Sequence, residues 1–347
     1  MADEQTNRAS LTWQAQFCDR NSAPIVGRVC AGLGRVLDRS SATGRRFLDW
    51  PGEPKADAIP LRLAAPFHAL ARSGRAPEVA RLYAGAVTDP AEVDAILRAA
   101  IAAEDAWIVR WLDGPPQTNE AGRSGALMAG LLVLAARFGP RFELLEIGSS
   151  AGLNLLIDRY RFDLAGVEVG PEDSPVLIRP EWRGLPPPAA EIRIESVRGV
   201  DVAPIDVSDD AAAERLMAYV WIDAADRIAR SEAAIAMARA RPPLLEQGDA
   251  ADWVEARLSE PQAEGVTRVL MHSVVWQYIA SQGQRRIEAA MAAAGVAASA
   301  ERPLAWVTFE ADRTLNQHTV VVRSWPGDGA PRTLAKAHPH GRWIEWE

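Results

Sequence analysis

Segment 144–154 of this chain, LLEIGSSAGLN, holds the residues whose types and spacing are best suited to chemistry. An apolar run over 142–147 ends in a glycine-rich turn, and a stretch of helical character follows over 153–160. A strand, a turn and a helix in this order bring backbone N–H groups and a helix N-terminus to one point, which suits a polar or anionic ligand. The same residues spell G-x-S-x-G around Ser150, the pattern of a serine nucleophile on a sharp turn. The turn therefore predicts either a ligand cradle or a nucleophile.

Three further strand ends carry polar groups that could serve the same ligand. Asp201, the pair Gly248-Asp249 and the pair His272-Ser273 each follow an apolar or alternating run. In an open parallel sheet, ligands bind outside the carboxyl ends of the strands. We therefore expect these groups to converge on the turn at 148–152.

The elements that must position these groups form two regions. Residues 1–120 show helical spacing of apolar residues and no alternating pattern, so we expect an all-helical region that covers a substrate pocket. From residue 121 onward, strands alternate with helices, which predicts an α/β domain with a mostly parallel sheet over 121–347. The Pro- and Gly-rich stretch 163–190 is expected to be an insertion, in which 167–169 and 175–178 could pair as a hairpin. A β-hairpin over 315–346 is expected to add antiparallel strands.

Composition narrows the class of protein. With 48% hydrophobic and 24% charged residues in 347, the chain is typical of a globular protein. The longest apolar run, 125–136, is shorter than the roughly 20 residues that span a bilayer, and the polar N-terminus is unlike a signal peptide. Two cysteines imply no disulfide framework. We therefore expect a cytoplasmic protein with no membrane partner.

Charge and histidine spacing argue against two other partners. The net charge of −8 disfavours nucleic-acid binding, which needs a basic surface. His338 and His340 would share a face of a strand, but no third ligand is evident nearby. No metal site is predicted.

The C-terminal three fifths of the chain resembles a class I S-adenosylmethionine-dependent methyltransferase domain. Segment 145–154 resembles the first motif of that fold, 199–204 resembles the second, and 248–250 resembles the third. The resemblance implies a Rossmann-like fold and S-adenosylmethionine as cofactor, with ribose bound by Asp201 and adenine beside Asp249. The cofactor-binding residues that it implies are Glu146, Gly148, Ser149, Ser150, Gly152, Asn154, Asp201 and Asp249.

The spacing of the ribose-binding acid departs from the usual pattern and leaves an alternative open. That acid usually lies about 20 residues after the glycine loop. Asp201 follows Gly152 by 49 residues, whereas Glu168 follows Gly148 by 20. Asp201 is preferred because it directly ends a strand-like segment. Both acids remain candidates.

The whole chain also resembles a bacterial family of unknown function, domain of unknown function 2332. The shared features are the glycine loop, the segments 158–162 and 198–201, and AHPHGRW at 337–343. This resemblance implies a helical N-terminal region and a methyltransferase-like second part. It names no substrate.

A hydrolase and a non-catalytic protein are the alternatives. The segment GSSAGLNL resembles the nucleophile turn of hormone-sensitive-lipase-like esterases, and Asp312 with His338 or His340 would complete the order Ser, Asp, His. Against this, no strand is visible before residue 141 and no His-Gly-Gly-Gly segment precedes Ser150. A scaffold that kept the fold without the cofactor is the third hypothesis.

The remaining candidates concern a small-molecule substrate. His272 ends a strand and could act as a general base, although a structural role is the alternative. Trp276 and Tyr278 could cover the pocket or pack in a core. The predicted substrate-binding residues are Trp276, Tyr278, Glu310, His340 and Arg342.

Overall fold

The computed structural model of the chain describes residues 3–312 and 317–347. The chain divides into two compact units, one comprising 1–118 and 209–229 and the other comprising 119–208 and 230–347. The predicted hairpin over 315–346 therefore begins at residues that lie outside the described part.

Eleven α-helices are present among the described residues, and six of them precede residue 110. The expected helical N-terminal region is thus confirmed. Asp89 caps α6, since its carboxylate accepts a hydrogen bond from the Glu92 N–H at 2.9 Å. The helices are α1 (Glu4–Arg20), α2 (Pro24–Val36), α3 (Ala42–Leu48), α4 (Ile59–Arg72), α5 (Pro77–Tyr83), α6 (Pro90–Ile108), α7 (Ser124–Phe138), α8 (Asp210–Ala218), α9 (Ala225–Ala240), α10 (Ala250–Ser259) and α11 (Ser281–Ala297).

Twelve strands form two sheets within the described residues, and all of them follow residue 140. The strands are β1 (Arg141–Ile147), β2 (Arg161–Leu164), β3 (Val167–Val169), β4 (Leu177–Ile178), β5 (Glu181–Arg183), β6 (Arg193–Asp201), β7 (Leu244–Gln247), β8 (Thr267–Ser273), β9 (Leu304–Asp312), β10 (Gln317–Trp325), β11 (Arg332–Ala337) and β12 (Trp343–Trp346).

The larger sheet has nine strands in the order β5-β12-β11-β10-β9-β8-β1-β6-β7. The pairs β1·β6, β1·β8, β6·β7, β8·β9 and β12·β5 are parallel, and the three pairs from β9 to β12 are antiparallel. The prediction of a mixed α/β fold with a mostly parallel sheet is confirmed. As expected, the C-terminal strands supply the antiparallel part.

Helix α7 is the most apolar helix of the sheet-bearing unit. Most of its residues are buried, and it packs against β9 and β10. Among the described residues, the segment Ala121–Phe138 alone has the length and composition of a membrane span, but 78% of that window is buried within the protein. A core position of this kind explains its apolar composition.

Two local predictions are wrong. The helix expected over 153–160 is a single 3-10 turn, Leu153–Leu156, because the chain turns at once into β2. Tyr160 supports that turn, since its buried hydroxyl donates to the Leu153 carbonyl at 2.6 Å. Strand β3 pairs with β2 rather than with β4, so the insertion carries a small sheet of order β3-β2-β4.

Candidate functional site

A cleft of about 360 Å³ lies at the carboxyl ends of β1, β6 and β7. Gly148, Asp201 and Asp249 all line it, so three of the predicted strand ends converge as expected. The remaining wall comes from the segment after β8 and from the start of α11. Its other lining residues include Val202, Gly248, Val275, Tyr278, Ile279 and Arg286.

Three residues of the glycine turn have positive φ angles, and two of them are glycines, which adopt such angles freely. The φ angles are 68° at Gly148, 55° at Ser150 and 72° at Gly152. A Cβ at Gly148 would lie 2.2 Å from a methyl carbon of Val275, and one at Gly152 would lie 2.7 Å from a ring carbon of Pro243. Protein packing alone therefore requires both glycines, whether or not a ligand is bound.

The backbone amides of the turn already have protein partners. The N–H groups of Gly148 and Ser149 donate to the Val200 carbonyl at 2.9 and 3.1 Å. The Ser150 N–H donates to the Asp201 carboxylate at 2.8 Å, and the Gly152 N–H donates to the Ser149 carbonyl at 2.7 Å. Because these four amides bond to protein acceptors, they are not free to hold a phosphate. The 3-10 helix that follows has a single turn, so its N-terminus contributes little of the helix-dipole field that attracts an anion.

Asp201 ends β6 at the cleft, and its carboxylate contacts the glycine turn. One carboxylate oxygen accepts from the Ser150 N–H, and the other accepts from the Ala203 N–H at 2.9 Å. Each oxygen keeps a further lone pair for a ligand hydroxyl. The alternative acid, Glu168, lies on β3 in the small sheet, where it pairs with Arg161 at 3.1 Å. Asp201 lines the cleft, and Glu168 is not among its lining residues.

Asp249 caps α10 in addition to lining the cleft. Its carboxylate accepts hydrogen bonds from the N–H groups of Ala251 and Asp252 at 2.8 and 3.1 Å. This role at the N-terminus of α10 is structural. It does not exclude contact with a ligand, because the side chain is at the cleft.

Glu146 lies beneath the glycine turn with its side chain removed from solvent. Burial raises the pKa of this carboxyl from 4.5 to about 7, while hydrogen bonding by Ser149 and Asn154 acts in the opposite direction. Its Oε2 atom and the Oδ1 atom of Asn154 are buried without a hydrogen-bond partner among the described residues. The Asn154 oxygen is an acceptor, whereas the Glu146 carboxyl is a donor when it holds its proton and an acceptor when it does not.

Ser150 is poorly placed for nucleophilic attack. Its Oγ atom is buried and has no hydrogen-bond partner in the described part of the chain. A serine nucleophile needs a base within hydrogen-bond reach and an exposed oxygen. The positive φ at Ser150 is the one feature that matches a nucleophile turn.

His272 is enclosed by aromatic side chains and a carboxylate. Its Nδ1 atom lies 2.7 Å from Oε1 of Glu310, and its ring stacks on Trp276 with centroids 5.2 Å apart. Trp306 belongs to the same cluster, with its ring centroid 5.9 Å from that of His272 and 5.5 Å from that of Trp276. The side chain is 2% exposed, and Nε2 is buried without a described partner. A substrate would have to enter this enclosure to reach Nε2, so the geometry favours a structural role.

The other substrate candidates are dispersed. Tyr278 lines the cleft and is 73% exposed. Glu310 bonds to His272, and Trp276 stacks on the His272 ring. Neither Glu310 nor Trp276 lines the cleft. His340 and Arg342 lie in the turn between β11 and β12, where the Arg342 carbonyl accepts from the Glu181 N–H. Of the five predicted substrate residues, the cleft collects only Tyr278.

A buried polar group that the sequence did not predict lies just before α7. The Asn119 side chain accepts from the Leu153 N–H at 2.7 Å and so fixes the end of the glycine turn. Glu120 pairs with Arg230 at 3.2 Å, and the Arg123 guanidinium donates to the Pro339 carbonyl at 2.9 Å. The available signal was the segment NEAGR, which has three polar residues directly before an apolar helix.

Comparison with known proteins gives one match. The family model described as an uncharacterized protein conserved in bacteria, DUF2332, matches residues 8–346. No curated protein and no solved structure matches the chain. Within 3–312 and 317–347, no group of three or more His, Cys, Asp or Glu side chains could hold a metal ion.

Proposed function

The chain belongs to the bacterial family DUF2332, and from that premise we propose that it binds S-adenosylmethionine in the cleft and methylates a small molecule. The observation that carries the proposal is the position of Asp201. This acid ends the strand next to β1, contacts the glycine turn and lines a cleft large enough for a nucleoside.

Sheet order supports a nucleoside site at this place. Strands β7, β6, β1, β8 and β9 lie side by side in the larger sheet. Numbered along the chain among these five strands alone, that is the order third, second, first, fourth and fifth. In doubly wound folds with this order, the ligand binds where the strand order reverses, beside the first strand. The cleft lies at that point.

The polar groups of the cleft favour a nucleoside without phosphate. Four amides of the glycine turn are occupied by protein acceptors, so they cannot cradle a phosphate as dinucleotide-binding loops do. Arg286 is held by Asp252 and Glu255 at 2.7 and 2.5 Å. The acids Asp201 and Asp249 would repel an added phosphate and tolerate a sulfonium cation.

Apolar side chains on the two sides of the cleft suit a flat heteroaromatic ring. Val202 follows β6 and is 68% exposed, and Tyr278 is 73% exposed on the opposite wall. Large apolar side chains left this exposed at a cleft are typical of a binding site. We assign the adenine ring to this region and the ribose hydroxyls to Asp201.

Methyl transfer requires little from the protein other than the correct positioning of the two reactants. S-adenosylmethionine, when bound, would supply an electrophilic methyl group, and the protein would orient the acceptor in line with it. An acceptor with a proton also needs a base. His272 is the candidate base. Its Nδ1 atom is hydrogen-bonded to Glu310, and Nε2 is the nitrogen that would accept the proton.

Equilibrium dialysis with labelled S-adenosylmethionine tests the assignment of Asp201. We expect Asp201→Ala to weaken binding at least tenfold, because the ribose loses its acceptor. Asp206→Ala is the matched control, since Asp206 also accepts from an N–H two residues on, at 2.8 Å, but lies outside the cleft. Equal binding by all three proteins would contradict the assignment.

A serine hydrolase is the second candidate, favoured by the positive φ at Ser150. A fluorophosphonate probe tests it directly. Labelling that is lost in Ser150→Ala would replace the methyltransferase proposal, whereas the buried Oγ predicts no labelling. A folded protein that neither binds the nucleoside nor reacts with the probe would favour a non-catalytic role.

A further inference from the structure

We propose that Glu310 is a positioning residue for the cleft: its carboxylate fixes the segment 274–279, from which Val275 and Tyr278 form one wall. The identity of the ligand rests on the proposed function, but the contact itself does not. The inference gives Glu310 a role other than direct contact with a substrate.

One carboxylate oxygen collects three donors. Oε1 of Glu310 accepts from Nδ1 of His272 at 2.7 Å, from the Val275 N–H at 3.0 Å and from the Trp276 N–H at 3.3 Å. The side chain is 17% exposed, so water competes weakly for these bonds. Hydrogen bonds to a charged acceptor are about twice as strong as neutral ones. This oxygen therefore holds the start of the segment firmly to β9.

The held segment carries the residue that meets the glycine turn. Val274 has a φ of 54°, and its N–H donates to the Phe309 carbonyl at 3.0 Å, so the chain turns sharply as it leaves β8. The Val275 side chain then occupies the space where Gly148 lacks a Cβ. A shift of Val275 would change the cleft at the point where it borders the first strand.

The same anchor sets the position of Tyr278. The Tyr278 N–H donates to the Val275 carbonyl at 2.8 Å, so the short turn that carries Tyr278 starts from the anchored residue. Gln284 on α11 donates to the Trp276 carbonyl at 2.7 Å and supports the turn from the other side. Loss of the Glu310 contacts would leave the segment held by the Gln284 bond and by the bond from the Val274 N–H to the Phe309 carbonyl.

His272 completes the anchor through Nδ1, a contact that is independent of the part Nε2 plays in the reaction. Its ring packs against both Trp276 and Trp306, which also contact each other, and it donates from Nδ1 to Glu310. The stacked rings restrain Trp276, and the hydrogen bond orients the carboxylate. This explains why a histidine is fully buried at the end of β8.

Hydrogen exchange and nucleoside binding, measured on Glu310→Ala, Glu310→Gln and Glu143→Ala, test the proposal. Glu143 is the matched control, because its side chain is also 17% exposed and pairs with Arg268 at 2.9 Å near the opposite end of the sheet. We expect Glu310→Ala to speed exchange of the 275 and 276 amides at least tenfold and to raise the dissociation constant for S-adenosylhomocysteine at least tenfold. Glu310→Gln keeps an acceptor oxygen and should recover most of both effects.

Each outcome has a distinct meaning. Unchanged exchange in Glu310→Ala would overturn the anchor, and faster exchange with unchanged binding would overturn its positioning role. If Glu143→Ala gave the same changes in exchange and binding, general destabilisation would explain both, and the proposal would also be overturned. If the wild type binds no nucleoside but the exchange changes as expected, the anchor is supported and the proposed function fails.

Discussion

At the scale of single residues, Glu146 has an environment that couples the site to pH. Its carboxyl group lies at the end of β1 beneath the glycine turn, and burial raises its pKa from 4.5 to about 7. The folded protein therefore holds this proton over a range in which the unfolded chain has lost it. Stability must change across that range.

The sign of the change follows from the direction of the shift. The contribution of Glu146 to stability is fully present below pH 4.5 and is lost as the pH rises through about 7. The loss amounts to about 3 kcal/mol. We expect Glu146→Gln to remove this slope and to be more stable than the wild type at pH 8. Urea unfolding at pH 5 and pH 8 measures it, with Glu143→Gln as a control that keeps the slope. An unchanged slope in Glu146→Gln would show that another group is responsible.

At the scale of elements, the glycine turn and the segment after β8 form one packed unit. Val275 fills the space above Gly148, and the Ser150 N–H bonds to Asp201 across the neighbouring strand. The turn is thus shaped by two other strand ends as well as by its own sequence. Its glycines should be intolerant of substitution even without a ligand.

Substitution of two glycines at the cleft tests this view of the turn. Gly148→Ala places a Cβ 2.2 Å from Val275 in a residue with φ of 68°, so we expect a loss of about 2 to 5 kcal/mol. At Gly248 the nearest atom to an added Cβ is 3.5 Å away on Val200, and Gly248→Ala should cost little. Thermal or urea unfolding of both variants makes the comparison. Equal effects would mean that the turn is not packed as described.

The sequence predicts the elements whose pattern is local and misses those set by distant partners. The apolar run at β1 and the cap at Asp89 are readable without tertiary contacts. The conformation directly after Gly152 is not, because the hydroxyl of Tyr160 and the side chain of Asn119 both bond to the backbone of Leu153. In that segment, tertiary contacts override helical spacing.

The candidate site divides in the same way. The acids Asp201 and Asp249 are predictable because the ends of parallel strands meet at one edge. The enclosure of His272 by Trp276 and Trp306 is not, since side-chain orientation across three segments determines it. The sequence therefore predicts which strand ends meet at the cleft but not which side chains enter it.

At the scale of the whole molecule, one family model covers 8–346 and so includes both compact units. The residues that line the cleft all belong to the sheet-bearing unit. The central claim concerns that cleft: it binds a nucleoside without phosphate and does so through Asp201. The proposals about the methyl acceptor and the reaction both depend on this claim.

Calorimetric titration of the wild-type protein with S-adenosylhomocysteine, repeated with adenosine monophosphate, tests the claim most directly. The account predicts saturable binding of one S-adenosylhomocysteine per chain and binding of the monophosphate at least tenfold weaker, because the turn amides are occupied and Asp201 and Asp249 repel the phosphate. Absence of heat with S-adenosylhomocysteine on the folded protein, or tighter binding of the monophosphate, would contradict it.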